Sequence, residues 1–351
     1  MTFQNRASWL TAKQSPVNEV KPAPYTSPIA NELVIKTKAI ALNPADVAVQ
    51  KLGILLEKYP AIVGCDVAGE VVEVDPSLSD TYQVGDRVTG AAFCLTIRDG
   101  KYCCSGFQEY VVLQAPHIAK IPAHVAFQDA VVFPLGMDTA SSCLFSDKTL
   151  ALDLPRTGAA KQHKTLLVWG ASSSVGACGV QMAVQAGYEV IGIASQRNHE
   201  LVKSLGATAC FDHSDATVVD QIVKYVEGSG KEVVGAFSAI TSDSVLDSLC
   251  EILDKISTTT TISVQKLVSS VAPGAEAKAS RGVTVVTNFV PDVKSNGFPV
   301  AIWAWLKNAM AQNSIKYAPP CEVVGKGLEE VQQGVDLLAK GVSAKKLVVL
   351  I

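Results

Sequence analysis

Two hydrophobic rhythms divide this chain. Up to about residue 135, apolar positions come in short runs, often at every second residue, between prolines and glycines: ELVIKTKAIAL, GEVVEV, DRVTGAA and FQEYVVL. That period is the signature of β-strands with one covered face. From about residue 165 to 290, continuous apolar runs alternate with segments whose apolar positions recur every three or four residues. TLLVWG, EVIGIAS, TACFD, VVGAFSAI, STTTTISV and VTVVTNFV are the predicted strands, and helices are predicted at about 174–186, 198–205, 215–227 and 243–254. Such alternation predicts parallel strands joined by right-handed crossovers, a doubly wound sheet. The tail adds an amphipathic helix, GLEEVQQGVDLLAKG, and a strand, KLVVLI. A lone helix and strand cannot form a core, so they are expected to return to the first domain or to cap the sheet. Asp147 to Lys164 follows neither rhythm and is expected to be a surface loop.

The chemistry concentrates where the first strand of the alternating region meets its helix. The segment TLLVWGASSSVGACGVQMAVQAGYEVIGIAS runs from strand through a Gly/Ser turn into a helix and a second strand. A turn of this kind brings backbone N–H groups against a pyrophosphate at the positive end of the helix, as in the Rossmann βαβ unit. The glycine fingerprint is degraded: Gly170 is its first member, Val175 or Gly176 its third, and serine takes the middle place. The hydroxyls of Ser172, Ser173 and Ser174 can donate to phosphate. Val180, Met182, Ala183 and Ala186 give the helix its apolar face, and Gly187 stops it. Enzymes that use NAD place a carboxylate at the end of the second strand for the adenosine ribose. This chain has Ser195, Gln196, Arg197 and Asn198 there, a set suited to a 2′-phosphate, so NADPH is expected over NADH. His213, after the third strand, either packs beside the adenosine or is an ordinary loop histidine.

With 351 residues the chain is too long for one typical core, and two domains are expected. A net charge of −3 leaves no electrostatic footprint for nucleic acid. The opening MTFQNRASWLTAK lacks the apolar core of a signal peptide, and no apolar run is long enough to span a bilayer, so a cytoplasmic location is expected. Nine scattered cysteines without a CxxC read as reduced packing thiols rather than as a disulfide framework or a zinc ribbon. Asn43-Pro44-Ala45-Asp46 begins a short helix, with Asn as N-cap, Pro at the first position and Asp at the third. Lys51, near its end, is either a solvated lysine or an ammonium that steadies an enolate or relays a proton. In YPAIVGCDVAGEVVEV two close glycines require a bend or tight packing, and Asp66 is either functional or a buried structural carboxylate. FPLGMDTA leads into a helix on which Thr139 either packs or donates to a carbonyl or to a nicotinamide carboxamide.

In this order, NPADV, YPAIVGCDVAGEVVEV, YQVGDRVTG, GFQEYVVL, VWGASSSVG and KGVSAKKLVVLI resemble the medium-chain dehydrogenase/reductase superfamily over nearly the whole chain. The likeness is to its zinc-free branch, the quinone oxidoreductases, and especially to fungal enoyl reductases that act in trans on polyketide synthases. It implies an α/β protein with a GroES-like β-rich domain made of residues 1–135 and 311–351, a Rossmann domain of residues 136–310, and an active-site cleft where they meet. It further implies that Ser172, Ser173, Ser174 and Val175 meet the cofactor phosphates and that Ser195, Arg197 and Asn198 surround the 2′-phosphate. Asp46, Val47, Ala48 and Val49 would lie toward the nicotinamide, with Val342 and Ser343 as a C-terminal contact.

Zinc-dependent relatives carry a cysteine ligand where this chain has Asn43, and a GHE segment where it has Gly64-Cys65-Asp66. Cys94, Cys103 and Cys104 have the wrong number and spacing for the structural-zinc lobe, so no zinc is expected. Without a Lewis acid the expected reaction is reduction of an activated C=C bond, with hydride passing from NADPH to the β-carbon and a proton to the α-carbon. The tyrosine that quinone oxidoreductases often present falls at Ala48, which leaves solvent as a candidate proton donor. A quinone oxidoreductase and a redox-silent NADPH-binding sensor or synthase partner are the competing readings. The expected substrate is a free or carrier-bound unsaturated carbonyl, with no nucleic-acid or membrane partner. A monomer and a homodimer joined through VTVVTNFV are both open. The segments Phe93–Gly106 and Val290–Trp305 are expected to line the substrate pocket, with Trp303 and Trp305 either lining it or packed in the core.

Overall fold

The C-terminal strands join a sheet begun by the first part of the chain, while Asn5–Leu10, Glu19–Ala23 and Ala61–Ile62 form a small sheet of their own. In a computed structural model, which describes residues 4–288 and 297–351, the chain divides into two units, Met1–Leu135 with Leu306–Ile351 and Gly136–Trp305. In the first unit the strands Cys321–Lys326, Lys346–Leu350, Glu32–Ala41, Asp66–Val74, Arg87–Ala91 and Ile118–Lys120 lie side by side in that order. Tyr110–Gln114 also pairs with Glu32–Ala41. The last strand of the chain runs antiparallel to Glu32–Ala41, with Val348 opposite Ala41 and Leu350 opposite Ala39. Val331 and Val335 of the tail helix share a core with Leu42, Leu113 and Leu347. The tail therefore returns to the first domain, because its apolar faces find their cover there.

The second unit is a six-stranded sheet, Ala209–Asp212, Glu189–Ala194, Lys164–Trp169, Glu232–Ser238, Leu267–Ser270 and Thr284–Thr287 in spatial order. All its pairings are parallel. In sequence terms the order is 3-2-1-4-5-6, the doubly wound arrangement with its switch point between the first and fourth strands. Four of the six predicted strands lie where the apolar runs place them, and Thr284–Thr287 lies within VTVVTNFV, whose last two residues fall outside the described segments.

The fifth strand is a correction. STTTTISV reads as β because threonine is β-branched, yet its first three residues close the helix Asp243–Thr259. The hydroxyls of Thr258, Thr259 and Thr260 donate back to the carbonyls of Asp254, Lys255 and Ile256, each four residues earlier. That local bonding satisfies the polar groups within the helix, and the strand forms later, at Leu267–Ser270. The expected pocket loop is a second correction. Residues 290–296 lie outside the described segments, and Phe298–Ala311 is a helix. Phe298, Ile302, Trp303, Trp305 and Leu306 are buried while Val300 is exposed, a helical period that gives the apolar run one covered face. Trp303 and Trp305 are only 2% and 5% exposed, so both are packed. Among the described residues no helix is long and apolar enough to cross a membrane.

Candidate active site

The first strand of the second unit delivers the chain to Gly170, in the left-handed region at φ 78°. The Gly170 and Ala171 N–H groups donate to Ile193 O, which locks the turn onto the second strand. Ser173 caps the helix Ser174–Gln185: its hydroxyl oxygen accepts the Gly176 N–H at 3.0 Å. Gly176 is the third glycine of the fingerprint, since a methyl there would stand 2.1 Å from Gly170 O. The helix can approach the strand this closely only without a side chain at 176.

Four of the sequence-predicted cofactor residues meet beside this turn. The Asn198 amide donates to Ser172 Oγ at 3.1 Å, joining the phosphate turn to the end of the second strand. Ser195 Oγ and His213 Nε2 share a hydrogen bond of 3.0 Å, joining the second strand to the third. Gln196 and Arg197 are exposed beside them, in a short 3-10 turn. Ser174 and Val175 are half-buried at the first turn of the helix, the end that favours negative charge. Hydroxyls, amides, an imidazole and a guanidinium around a helix N-terminus form a donor set that fits a nicotinamide dinucleotide.

The first unit holds a buried polar quartet that the sequence suggested only in part. Pro44 opens the short helix, and Asp46 accepts the Asn43 N–H at 2.8 Å, as expected of an acid at the third position. Asn43 then gives its amide to Asp66 Oδ2 at 2.9 Å and accepts Lys346 Nζ at 2.6 Å. Lys346 Nζ also lies 2.8 Å from Asp66 Oδ2, with both side chains buried. The other Asp66 oxygen accepts the Leu135 N–H at 2.6 Å, at the start of the helix Pro134–Phe145. Full burial pushes the Asp46 carboxyl up to about 7; the Asn43 N–H opposes this, and the nearby Asp66 charge adds to it. The Cys94 sulfur and burial hold the Cys65 thiol well above the ordinary thiol range.

The remaining candidates have definite places. Val49 is buried with Asp46, while Val47 and Ala48 are half-buried on the same turn. Lys51 is no free ammonium, because its Nζ lies 2.6 Å from Asp336 of the tail helix. Thr139 is buried on Pro134–Phe145. Val342, 40% exposed, and Ser343 precede the last strand of the first unit. Two contributors escaped the sequence reading. Lys346 hides among surface lysines in the pattern, and Asp138 is a buried carboxylate that accepts the Trp303 indole N–H at 2.8 Å. All nine cysteines are free thiols.

Comparison with known proteins agrees with this architecture. Residues 29–123 match the family described as alcohol dehydrogenase GroES-like domain, and residues 174–305 match the zinc-binding dehydrogenase family. The chain belongs to the medium-chain dehydrogenase/reductase superfamily. Within it, the chain falls in the branch of the fungal dehydrogenases and trans-enoyl reductases. It is 36% identical to the dehydrogenase pigH of Monascus ruber over 98% of this chain and 99% of that protein. It is 33% identical to the trans-enoyl reductase himH of Aspergillus japonicus over 98% and 97%. In fold it is similar to the CurK enoyl reductase crystal structure, with a TM-score of 0.75, 19% identity and 99% of each chain covered. The protein is an oxidoreductase of this superfamily.

Proposed function

We propose that the protein is an NADPH-dependent reductase of α,β-unsaturated carbonyls that works without zinc, on a free substrate or on one carried by a polyketide synthase. The observation that carries this reading is the Ser172, Ser195, Asn198 and His213 cluster at the ends of adjacent parallel strands. It offers hydroxyl, amide and imidazole donors, and the segment Ser195-Gln196-Arg197-Asn198 after the second strand carries no carboxylate of its own. Relatives named as trans-enoyl reductases support the choice of reaction.

When bound, the cofactor supplies a hydride for the β-carbon of the alkene. Ser172 to Val175 hold its phosphates against the helix N-terminus, and Ser195, Arg197 and Asn198 hold the 2′-phosphate. Thr139 is the candidate hydroxyl for the substrate carbonyl, which takes up the developing charge. A proton then reaches the α-carbon, with solvent the candidate source. The quartet supports the metal-free reading: Lys346 places an ammonium on Asn43 and Asp66, two of the positions that zinc-dependent relatives give to their metal site.

Steady-state oxidation of NADPH and NADH with enals, enones, enoyl thioesters and quinones tests the proposal. NADPH with an enone or enoyl thioester is the expected pair. Arg197→Ala should raise the KM for NADPH by about 10–100-fold, the loss of one charge-assisted hydrogen bond, and leave NADH kinetics unchanged. Equal use of NADH by the unaltered protein, turnover of quinones alone, or about one tightly held zinc per chain would sink it.

A further inference from the structure

Two sulfurs from separate segments of the first unit stand close together. Cys65 precedes the strand Asp66–Val74 and Cys94 follows the strand Arg87–Ala91, and their Sγ atoms lie 3.2 Å apart. A disulfide has its sulfurs about 2.05 Å apart. The backbone on each side is already held. Ala92 N–H donates to Cys65 O at 2.6 Å, Cys94 N–H donates to Ala92 O at 3.0 Å, and Gly106 N–H donates to Gly64 O at 2.8 Å. The Ser105 hydroxyl donates to Cys94 O at 3.2 Å. These bonds hold the two segments side by side and keep the sulfurs within reach of each other. Cys103 and Cys104 are the other close pair, at 3.8 Å, but they are adjacent in sequence and a bridge between them would strain the peptide that joins them.

We propose that Cys65 and Cys94 are a reversible redox-modification site, a dithiol that hydrogen peroxide converts to a disulfide. Each thiol gives up its hydrogen, one S–S bond forms, the O–O bond breaks, and the two electrons leave in two molecules of water. A dithiol reductant reverses the change by thiol–disulfide exchange. Both residues keep a little exposure, 9% for Cys65 and 8% for Cys94, so peroxide, little larger than water, needs only a local opening of the fold to reach them. The placement gives the modification a consequence. Cys65 is bonded to Asp66, which receives Lys346, Asn43 and the Leu135 N–H. The new bond would tie the residue before this carboxylate to the segment after Arg87–Ala91.

The test uses the unaltered, fully reduced protein. It is exposed to hydrogen peroxide, its remaining thiols are blocked with N-ethylmaleimide, and its peptides are mapped by mass spectrometry. The expected product is a linked Cys65–Cys94 peptide that dithiothreitol separates, together with a rise in Tm that the same reductant reverses. Cys94→Ser should abolish both the link and the rise. Cross-linking of a different pair, Cys103–Cys104 included, would overturn the proposal. So would full blocking of both Cys65 and Cys94 after a peroxide dose that oxidises a small dithiol control.

Discussion

Asp46 is a carboxyl group whose proton the fold holds. Its value near 7, well above the ordinary carboxylate range, comes first from full burial. A raised acid binds its proton more tightly in the folded chain than in the unfolded one, so its contribution favours the fold at low pH. That contribution is complete below about pH 4 and is lost as pH rises toward 7. Asp46→Asn keeps an acceptor for the Asn43 N–H and removes the titration. The wild-type protein should lose on the order of a few kcal/mol more stability than Asp46→Asn between pH 4.5 and 7.5 in urea denaturation. Equal slopes in the two proteins would contradict the assignment. Part of this was legible in the sequence, since Asn43-Pro44-Ala45-Asp46 is a helix-start pattern whatever surrounds it. The depth of burial was not, because it depends on residues that approach from elsewhere in the chain.

At the scale of elements, the turn before Ser174–Gln185 shows how a degraded motif keeps its geometry. Gly170 and Gly176 retain the two positions that sterics protect, and the middle position accepts serine. Ser173 has a dual place, as helix cap and as candidate phosphate contact. Ser173→Ala should cost about 0.5–2 kcal/mol of stability and weaken NADPH binding. Ser173→Asp should restore the cap while leaving NADPH binding weak, because its charge opposes the phosphate. Thermal unfolding and cofactor fluorescence titration separate the two roles, and recovery of both properties together would contradict the phosphate contact. The parallel strands were readable because uninterrupted apolar runs suit a sheet covered on both faces. STTTTISV misled because propensity is a weak guide where threonine hydroxyls bond to their own helix.

At the largest scale the C-terminal strand closes the first unit by meeting Asn43 and Asp66 from far along the chain. Lys345 and Lys346 are neighbours in sequence with opposite fates: Lys345 pairs with Glu322 at the surface, whereas Lys346 is 3% exposed beside Asp66. Lys346→Met would leave the Asp66 charge buried without its cation and should cost about 3–5 kcal/mol. Lys345→Met should cost at most about 1 kcal/mol. Urea midpoints compared side by side would show the contrast, and similar small losses for both would mean the quartet contributes little.

By itself the sequence determined the two rhythms, the parallel sheet and the glycine–serine turn, since each rests on spacing within a short stretch of chain, and the superfamily, which rests on the order of motifs along nearly the whole chain. Tertiary structure alone decided which of two lysines enters the core, that Asn43, Asp46, Asp66 and Lys346 share one buried site, that Lys51 is paired with Asp336, and that two cysteines 29 residues apart face each other. The physical reason is that burial and electrostatic pairing are properties of groups that meet only when distant strands close over one core, and no local period records them.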